Sequence, residues 1–245
     1  DRFIKMSKII AIMLLLCCGM MLFGCADDNG RRKAEQQKTI VVTDSVGRKV
    51  ELPYPLERVA VCNVYNAELI TAVGAIDKIV GVDNYIFKDQ SGFKNRFNEA
   101  QVFGISQNAM NYEKLAELAP QAVIITGEGT WRDAQEMLDR FGIKVIVINS
   151  YYTDQFADNC RLIGRIFGRE EQAEELVNYF NDKLAYIQKQ LQGVPRRSLY
   201  FEYRTLGKTA VPGDYFYKMV EYSGADNIFA AAKGCLLYTS PSPRD

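Results

Sequence analysis

Four short runs of β-branched and apolar residues recur along the first half of the chain: 58–62 (RVAVC), 78–82 (KIVGV), 122–126 (AVIIT) and 144–148 (KVIVI). A strand with one wet face alternates apolar and polar residues; these runs are apolar on both faces. Segments of helical spacing lie between them. Ala67, Leu69, Ile70 and Val73 form a helical stripe that stops at Gly74. Asn111 is placed to cap a helix over 112–119, which Pro120 ends, and a helix over 130–141 stops at Gly142. Repeated βα units with such strands predict a parallel sheet covered on both faces. Ligands of these sheets bind beyond the carboxyl ends of the strands. Ahead of the first unit, 39–43 (TIVVT) and 48–52 (RKVEL) flank Asp44-Ser45-Val46-Gly47, which predicts a hairpin ended by Pro53 and Pro55.

After the fourth strand the period changes. Residues 154–167 read as one helix broken at Gly168, and 169–192 as a second. The second carries Ala173, Leu176, Val177, Phe180, Leu184, Ile187 and Leu191 on one stripe and would run roughly 36 Å at 1.5 Å per residue. Gly193 and Pro195 end it. A new βα unit opens with a strand over 198–203 (SLYFEY), a helix over 214–222, and GADNIF leading toward another strand. The expected fold class is α/β, with two Rossmann-like lobes joined by one long rigid helix and the second lobe incomplete.

The two ends differ from this body. A start at Met6 places Lys8 before an apolar run over 9–23, about the length of a signal sequence and short for a membrane span. The run ends in Leu22-Phe23-Gly24-Cys25, which resembles a bacterial lipobox, in which the Cys becomes the first mature residue and its thiol accepts the lipid. The polar stretch that follows reads as a tether. At the other end, CLLYTSPSPRD back-translates in one frame to a string that resembles a sequencing-library adapter. The expected layout is a leader and lipoprotein signal at 1–24, a tether at 25–38, an N-terminal lobe at 39–168, a connecting helix at 169–192, the start of a C-terminal lobe at 193–234, and an adapter artefact at 235–245.

Composition narrows the chemistry. The chain has 30 Lys and Arg against 30 Asp and Glu, so it carries no basic footprint for nucleic acid. It contains no His, which removes the commonest metal ligand and the commonest general base. Cys17 and Cys18 fall in the signal, Cys25 at the lipid site and Cys235 in the terminal string. Cys62 and Cys160 alone do not make a disulfide framework, and no Cys pair has zinc spacing.

Five stretches in order carry a resemblance: TDSVGRKVELPYPLERVAVCN, NAELITAVGAIDKIVGV, NYEKLAELAPQAVIIT, FGIKVIVI and TAVPGDYFYKMVEYSGADNIF. Across nearly all of residues 39–234 the chain resembles the lipoprotein substrate-binding components of ABC importers for ferric siderophores, haem and cobalamin. The resemblance implies two α/β lobes, a ligand held in the cleft between them, and modest closure on binding. It implies no catalysis and no cofactor, the ligand being a metal that enters already chelated. The implied partners are an ABC permease with its ATPase, and a membrane held through a lipid on Cys25. It also implies that a surface Glu of the first lobe meets the permease; the start of the NYEKLAEL helix makes that Glu113.

Residues of the strand-end loops are the expected ligand contacts: Asn63 and Tyr65, Tyr85, Gln107 and Asn108, Trp131, Tyr151 and Tyr152 from the first lobe, and Tyr203, Arg204 and Lys208 from the second. Tyr and Trp offer stiff contact area with a polar edge, and Arg a planar fork for carboxylate or catecholate oxygens. That set fits a bulky anionic metal chelate, ferric siderophore first, then corrinoid, then haem held by Tyr or Met110. A metal chelatase on a similar scaffold is the competing class; it needs a base, usually His, and the chain has none.

Overall fold

The computed structural model describes residues 38–89, 91–203, 208–231 and 237–238. The leader, Cys25 and nearly all of the tether lie outside them. Strands β1 (Thr39–Thr43) and β2 (Lys49–Pro53) pair antiparallel with Thr43 opposite Lys49. Asp44 holds the turn. Its carboxylate accepts the backbone N–H groups of Val46 and Arg48 at 3.2 and 2.9 Å and the Arg48 guanidinium at 2.7 and 3.0 Å. It also accepts Val147 N–H at 3.3 Å, which ties the hairpin to the main sheet. The second strand therefore begins one residue later than its alternation predicts, because Arg48 belongs to the turn.

The main sheet contains β3 (Val59–Val61), β4 (Ile79–Val82), β5 (Ala122–Ile125) and β6 (Lys144–Val147), all parallel, in the order β4-β3-β5-β6. Val59 stands opposite Ala122, and Ala122 opposite Lys144. Alternation along each strand divides the side chains between two cores. Val59, Val61, Ile124 and Ile146 enter one; Ala60, Cys62, Val123, Ile125, Val145 and Val147 enter the other. Both faces are dry, as the continuous apolar runs require, and each fully buried Val, Leu or Ile adds about 1.5–3 kcal/mol.

Helices α1 (Val64–Ala72), α2 (Asn84–Lys88), α3 (Tyr112–Leu118), α4 (Trp131–Asp139) and α5 (Phe156–Phe167) cover these faces. Ala67 and Ile70 of α1 and Cys160, Ile163 and Ile166 of α5 fill the first core. Leu115 of α3 and Ala134 and Leu138 of α4 fill the second. Asn111 caps α3 as expected, its side chain accepting Lys114 N–H at 2.9 Å. Residues 84–110, to which the sequence pattern assigns no element, hold α2 and a single 3-10 turn at Glu99–Gln101. Asn84 and Tyr85, expected in a loop, open a helix because Asp83 caps it through Ile86 N–H at 2.9 Å.

Helix α6 (Glu170–Gln190) has 21 residues, a length of roughly 32 Å. It is shorter at both ends than 169–192. Gly168, at φ 62°, ends α5 in the left-handed region and sets up the entry. Within α5, a Cβ on Gly164 would lie 2.5 Å from Ala173 Cβ, so the two helices cross at a separation only glycine permits. Of the apolar stripe, Ala173 and Val177 are buried, whereas Ile187 is 42% exposed.

Beyond α6, β7 (Arg197–Leu199) pairs parallel with β9 (Ala225–Asn227), and α7 (Tyr217–Tyr222) lies between them in sequence. This is the expected second βα unit with three adjustments. The first strand is shorter than 198–203. The helix starts after position 214 because Asp214 turns the chain by accepting Phe216 N–H at 2.7 Å. GADNIF contains a strand rather than leading to one. In addition, β8 (Lys208–Thr209) pairs antiparallel with β10 (Leu237–Tyr238), so residues within the string read as an adapter take part in a two-residue ladder. No helix among the described residues is long and apolar enough to cross a membrane.

Candidate functional site

Strand order reverses between β3 and β5, where α1 and α4 leave on opposite sides of the sheet, and a crevice opens there at the carboxyl ends. It is an open cleft of about 520 Å³, lined by Asn63, Val64, Tyr65, Glu68, Asp83, Tyr85, Ser106, Gln107, Asn108, Thr126, Glu128 and Gly129. Two further hollows share its walls. One of about 410 Å³ adds Tyr151, Tyr203 and Tyr215, and one of about 360 Å³ adds Ser150, Phe156, Phe216 and Met219. Tyr65 lines all three.

The floor is built from strand-end residues that bond one another. Asn63 follows β3 at φ 78°, a region costly for a residue with a side chain. Two contacts hold it: its side chain caps α1 through Tyr65 N–H at 3.0 Å, and its own N–H donates to Asp83 Oδ2 at 3.1 Å; Asp83 Oδ1 in turn caps α2. Asp83 is 2% exposed, and burial raises its carboxyl above the usual range against the pull of its three backbone donors. Gln107 ties the next two loops. Its Oε1 accepts Thr126 N–H at 3.0 Å and Thr126 Oγ1–H at 2.8 Å, and its Nε2 donates to the Glu128 carbonyl. Asn149 Oδ1 accepts Gly127 N–H at 2.7 Å, and Ser150 Oγ donates to Asn66 Oδ1 at 2.6 Å.

Aromatic rings make the wall toward the second βα unit. Tyr151 and Tyr152 lie 4.8 Å apart between centroids, Tyr151 meets Tyr215 edge-on at 5.4 Å, and Tyr203 stands 6.3 Å from Tyr215. Burial, followed by the Glu128 charge, pushes the Tyr151 phenol up; burial and the Tyr203 hydroxyl do the same to Tyr215.

Most of the expected contacts gather here: Asn63, Tyr65, Tyr85, Gln107, Asn108, Tyr151 and Tyr203 line the cleft or its extensions. Tyr152 stands behind Tyr151 rather than on the wall. Trp131 is a correction. It is 9% exposed and packed in the second core, with the Arg48 guanidinium 4.3 Å and the Arg132 guanidinium 4.2 Å from its ring. The first turn of α4 points this side chain back under the sheet, toward the hairpin. Lys208 sits on β8 and acts on Asp214 but does not line the cleft, and Arg204 lies outside the described residues. Glu113 is exposed in the first turn of α3, away from the cleft.

Several wall residues escape the sequence reading. Glu68 is one helical turn beyond Tyr65, the i,i+3 spacing that shares a face, and burial and the Asp89 charge raise its carboxyl. Asp83 directly follows β4, a position that marks it as a crevice residue. Tyr215 follows Asp214, the residue whose turn displaces the helix start. The lining residues thus bring Glu68, Asp83 and Glu128 together and include no Lys or Arg among the described residues. Of the two cations expected to favour an anion, Lys208 does not line this wall and Arg204 lies outside the described residues. The described residues contain no group of three or more His, Cys, Asp or Glu placed to hold a metal.

The crevice is concave with stiff aromatic walls, the form a small-molecule site takes. Comparison with known proteins gives the family. A family model described as Periplasmic binding protein matches residues 59–241, and the chain belongs to that family. The chain is 26% identical over 219 residues to the molybdate-binding protein MolA of Haemophilus influenzae, covering 78% of this chain and 61% of that protein. It is 22% identical over 185 residues to the vitamin B12-binding protein of Salmonella typhimurium, covering 74% of this chain and 65% of that protein. The chain thus spans less than two thirds of the length of both relatives. Among solved structures, a periplasmic solute-binding protein of Veillonella parvula matches with a TM-score of 0.61 at 27% identity, over 80% of this chain and 62% of that one. The petrobactin-binding protein YclQ of Bacillus subtilis shares the fold with a TM-score of 0.67 at 16% identity, over 84% and 72% of the two chains.

Proposed function

We propose that this chain captures a bulky metal chelate outside the cytoplasm and delivers it to an ABC permease and its ATPase, held at the membrane by a lipid on Cys25. A ferric siderophore is the preferred ligand. The observation that carries the reading is the cleft at the strand-order reversal, walled by Tyr65, Tyr85, Tyr151, Tyr203 and Tyr215. Rings of this kind bury broad, partly polar ligands at little entropic cost. With no metal-ligand cluster among the described residues, the metal arrives inside its chelator. Glu113, exposed at the start of α3, is the proposed contact with the permease. A corrinoid is the second reading, favoured by the likeness to a vitamin B12-binding protein.

Native mass spectrometry of the full chain with a ferric trihydroxamate and with cyanocobalamin tests the reading. One-to-one adducts are expected with the first, or with the second if the corrinoid reading holds; no adduct with either sinks both. Lipid incorporation in a bacterial host, lost in Cys25→Ala, tests the anchor independently.

A further inference from the structure

The charge of the cleft defines the ligand further, resting on the proposal that this cleft is the binding site. Glu128 leaves the end of β5 and lines two of the three connected hollows. Its carboxylate is within hydrogen-bonding reach of Tyr151 and acts electrostatically on Tyr215. Glu68 lines the same two-sided opening from α1, beside Tyr65. Asp83 lies at the base. No described lining residue is cationic, so the described walls present the three carboxylates without an offsetting Lys or Arg.

A separate observation comes from the other side. Asp214 is 4% exposed, its Oδ1 accepts Phe216 N–H, and its Oδ2 has no hydrogen-bond partner. It adjoins the wall residue Tyr215 and lies within electrostatic reach of Glu128, with Lys208 the described cation acting on it. A buried carboxylate oxygen left without a donor is unfavourable and adds to the negative character behind this wall.

We infer that the cleft selects chelates of neutral or positive net charge that turn N–H or ammonium donors toward Glu128 and Glu68, and that it rejects oxyanions and polyanionic chelates. Like charges facing one another across a binding surface repel, whereas a ligand donor placed on a carboxylate makes a charge-assisted bond. The likeness to a molybdate-binding protein does not extend to this chemistry, because a small dianion here would face acidic walls.

Isothermal titration calorimetry of the full chain tests this with four probes: a singly positive ferric trihydroxamate bearing a free ammonium, neutral cyanocobalamin, a triply negative ferric tris-catecholate, and molybdate. The expected result is binding of a cationic or neutral probe at least about 100-fold tighter than either anion, a gap of roughly 2.8 kcal/mol. Added salt should weaken the cation and spare the neutral probe. Glu128→Gln, at an exposed position, should narrow the gap about tenfold, and Glu68→Gln should narrow it separately. A tris-catecholate or molybdate bound as tightly as the cationic probe overturns the charge inference and leaves solute capture standing. An unchanged gap in both variants overturns it as well. Binding of none of the four overturns solute capture and the charge inference together.

Discussion

Gln107→Ala isolates the clasp beneath the cleft. The side chain joins three groups: it accepts from Thr126 N–H and Thr126 Oγ1–H and donates to the Glu128 carbonyl. Thr126 is 3% exposed, so its donors have no water to turn to when the acceptor is removed. Leaving a buried donor unpaired costs about 1–3 kcal/mol. The hydroxyl can rotate to another acceptor, and Glu128 sits in an exposed loop where its carbonyl regains water, so the loss should total about 2–3 kcal/mol. For a domain of this size each kcal/mol moves Tm by about 2–4 °C, which gives a fall of about 4–12 °C. Gln107→Glu keeps the acceptor for Thr126 but sets a carboxylate oxygen against the Glu128 carbonyl, so its Tm should fall as well. Thermal melts of the full chain followed by circular dichroism read both values. An Ala variant melting within about 1 °C of the parent would refute the clasp.

Gly164→Ala should cost about 1–3 kcal/mol, since its Cβ meets Ala173 Cβ at 2.5 Å and the Arg169 carbonyl at 2.9 Å; urea denaturation measures it, and a second change, Ala173→Gly, should recover part of the loss. Glu68, Asp83 and Asp214 all have carboxyl pKa values above their ordinary ones, burial being the first cause for each. A raised carboxyl contributes stability that is complete below its unfolded value and lost as pH rises through the folded one. Stability from these groups should therefore decline from about pH 4 upward, and Glu68→Gln should flatten that decline in urea midpoints taken across this range. Trp131, the single Trp, should resist acrylamide quenching in the folded chain and become accessible in urea, because it lies in the core between two guanidinium groups. A folded-state quenching constant equal to the unfolded one would contradict that placement.

The sheet was legible because its signals are local. Continuous Val/Ile runs mark β3 to β6 to within a residue or so at each end, and Asn63 and Asn111 sit at the cap positions their side chains fill. The strand-end rule then placed most of the cleft. What stayed hidden depends on long-range contact. Trp131 follows a strand-end loop and so reads as a wall residue, but its burial is decided by Arg48 on a distant hairpin, whose guanidinium also reaches Gln135 and the Val145 carbonyl. Residues 84–110 carry no periodicity, and their structure comes from Asp83 capping α2 and from the Phe103–Asn111 backbone contact that returns the chain to α3. The acidic character of the walls was missed because Glu68 is in a helix rather than a strand-end loop, while the cationic candidates drew attention to the second βα unit.

The wall residues divide by what else they do, and the division says where specificity can change. Asp83 and Gln107 each serve two backbone partners and Asn63 serves one while donating to Asp83, so altering them disturbs β3, α2 or the β5 loop along with the cleft. Tyr65 and Tyr85 are 48% and 64% exposed, and Glu128 is exposed as well, so their side chains can be exchanged at little cost to the fold. A scaffold built this way holds its crevice rigid through one set of residues and presents charge and aromatic surface through another. Shape and placement are then properties of the fold, whereas ligand charge is set by a few replaceable side chains. Relatives named for molybdate and for vitamin B12 can accordingly share this fold. If the cleft is the binding site as proposed, positions 65, 68, 85 and 128 are where its ligand charge is set.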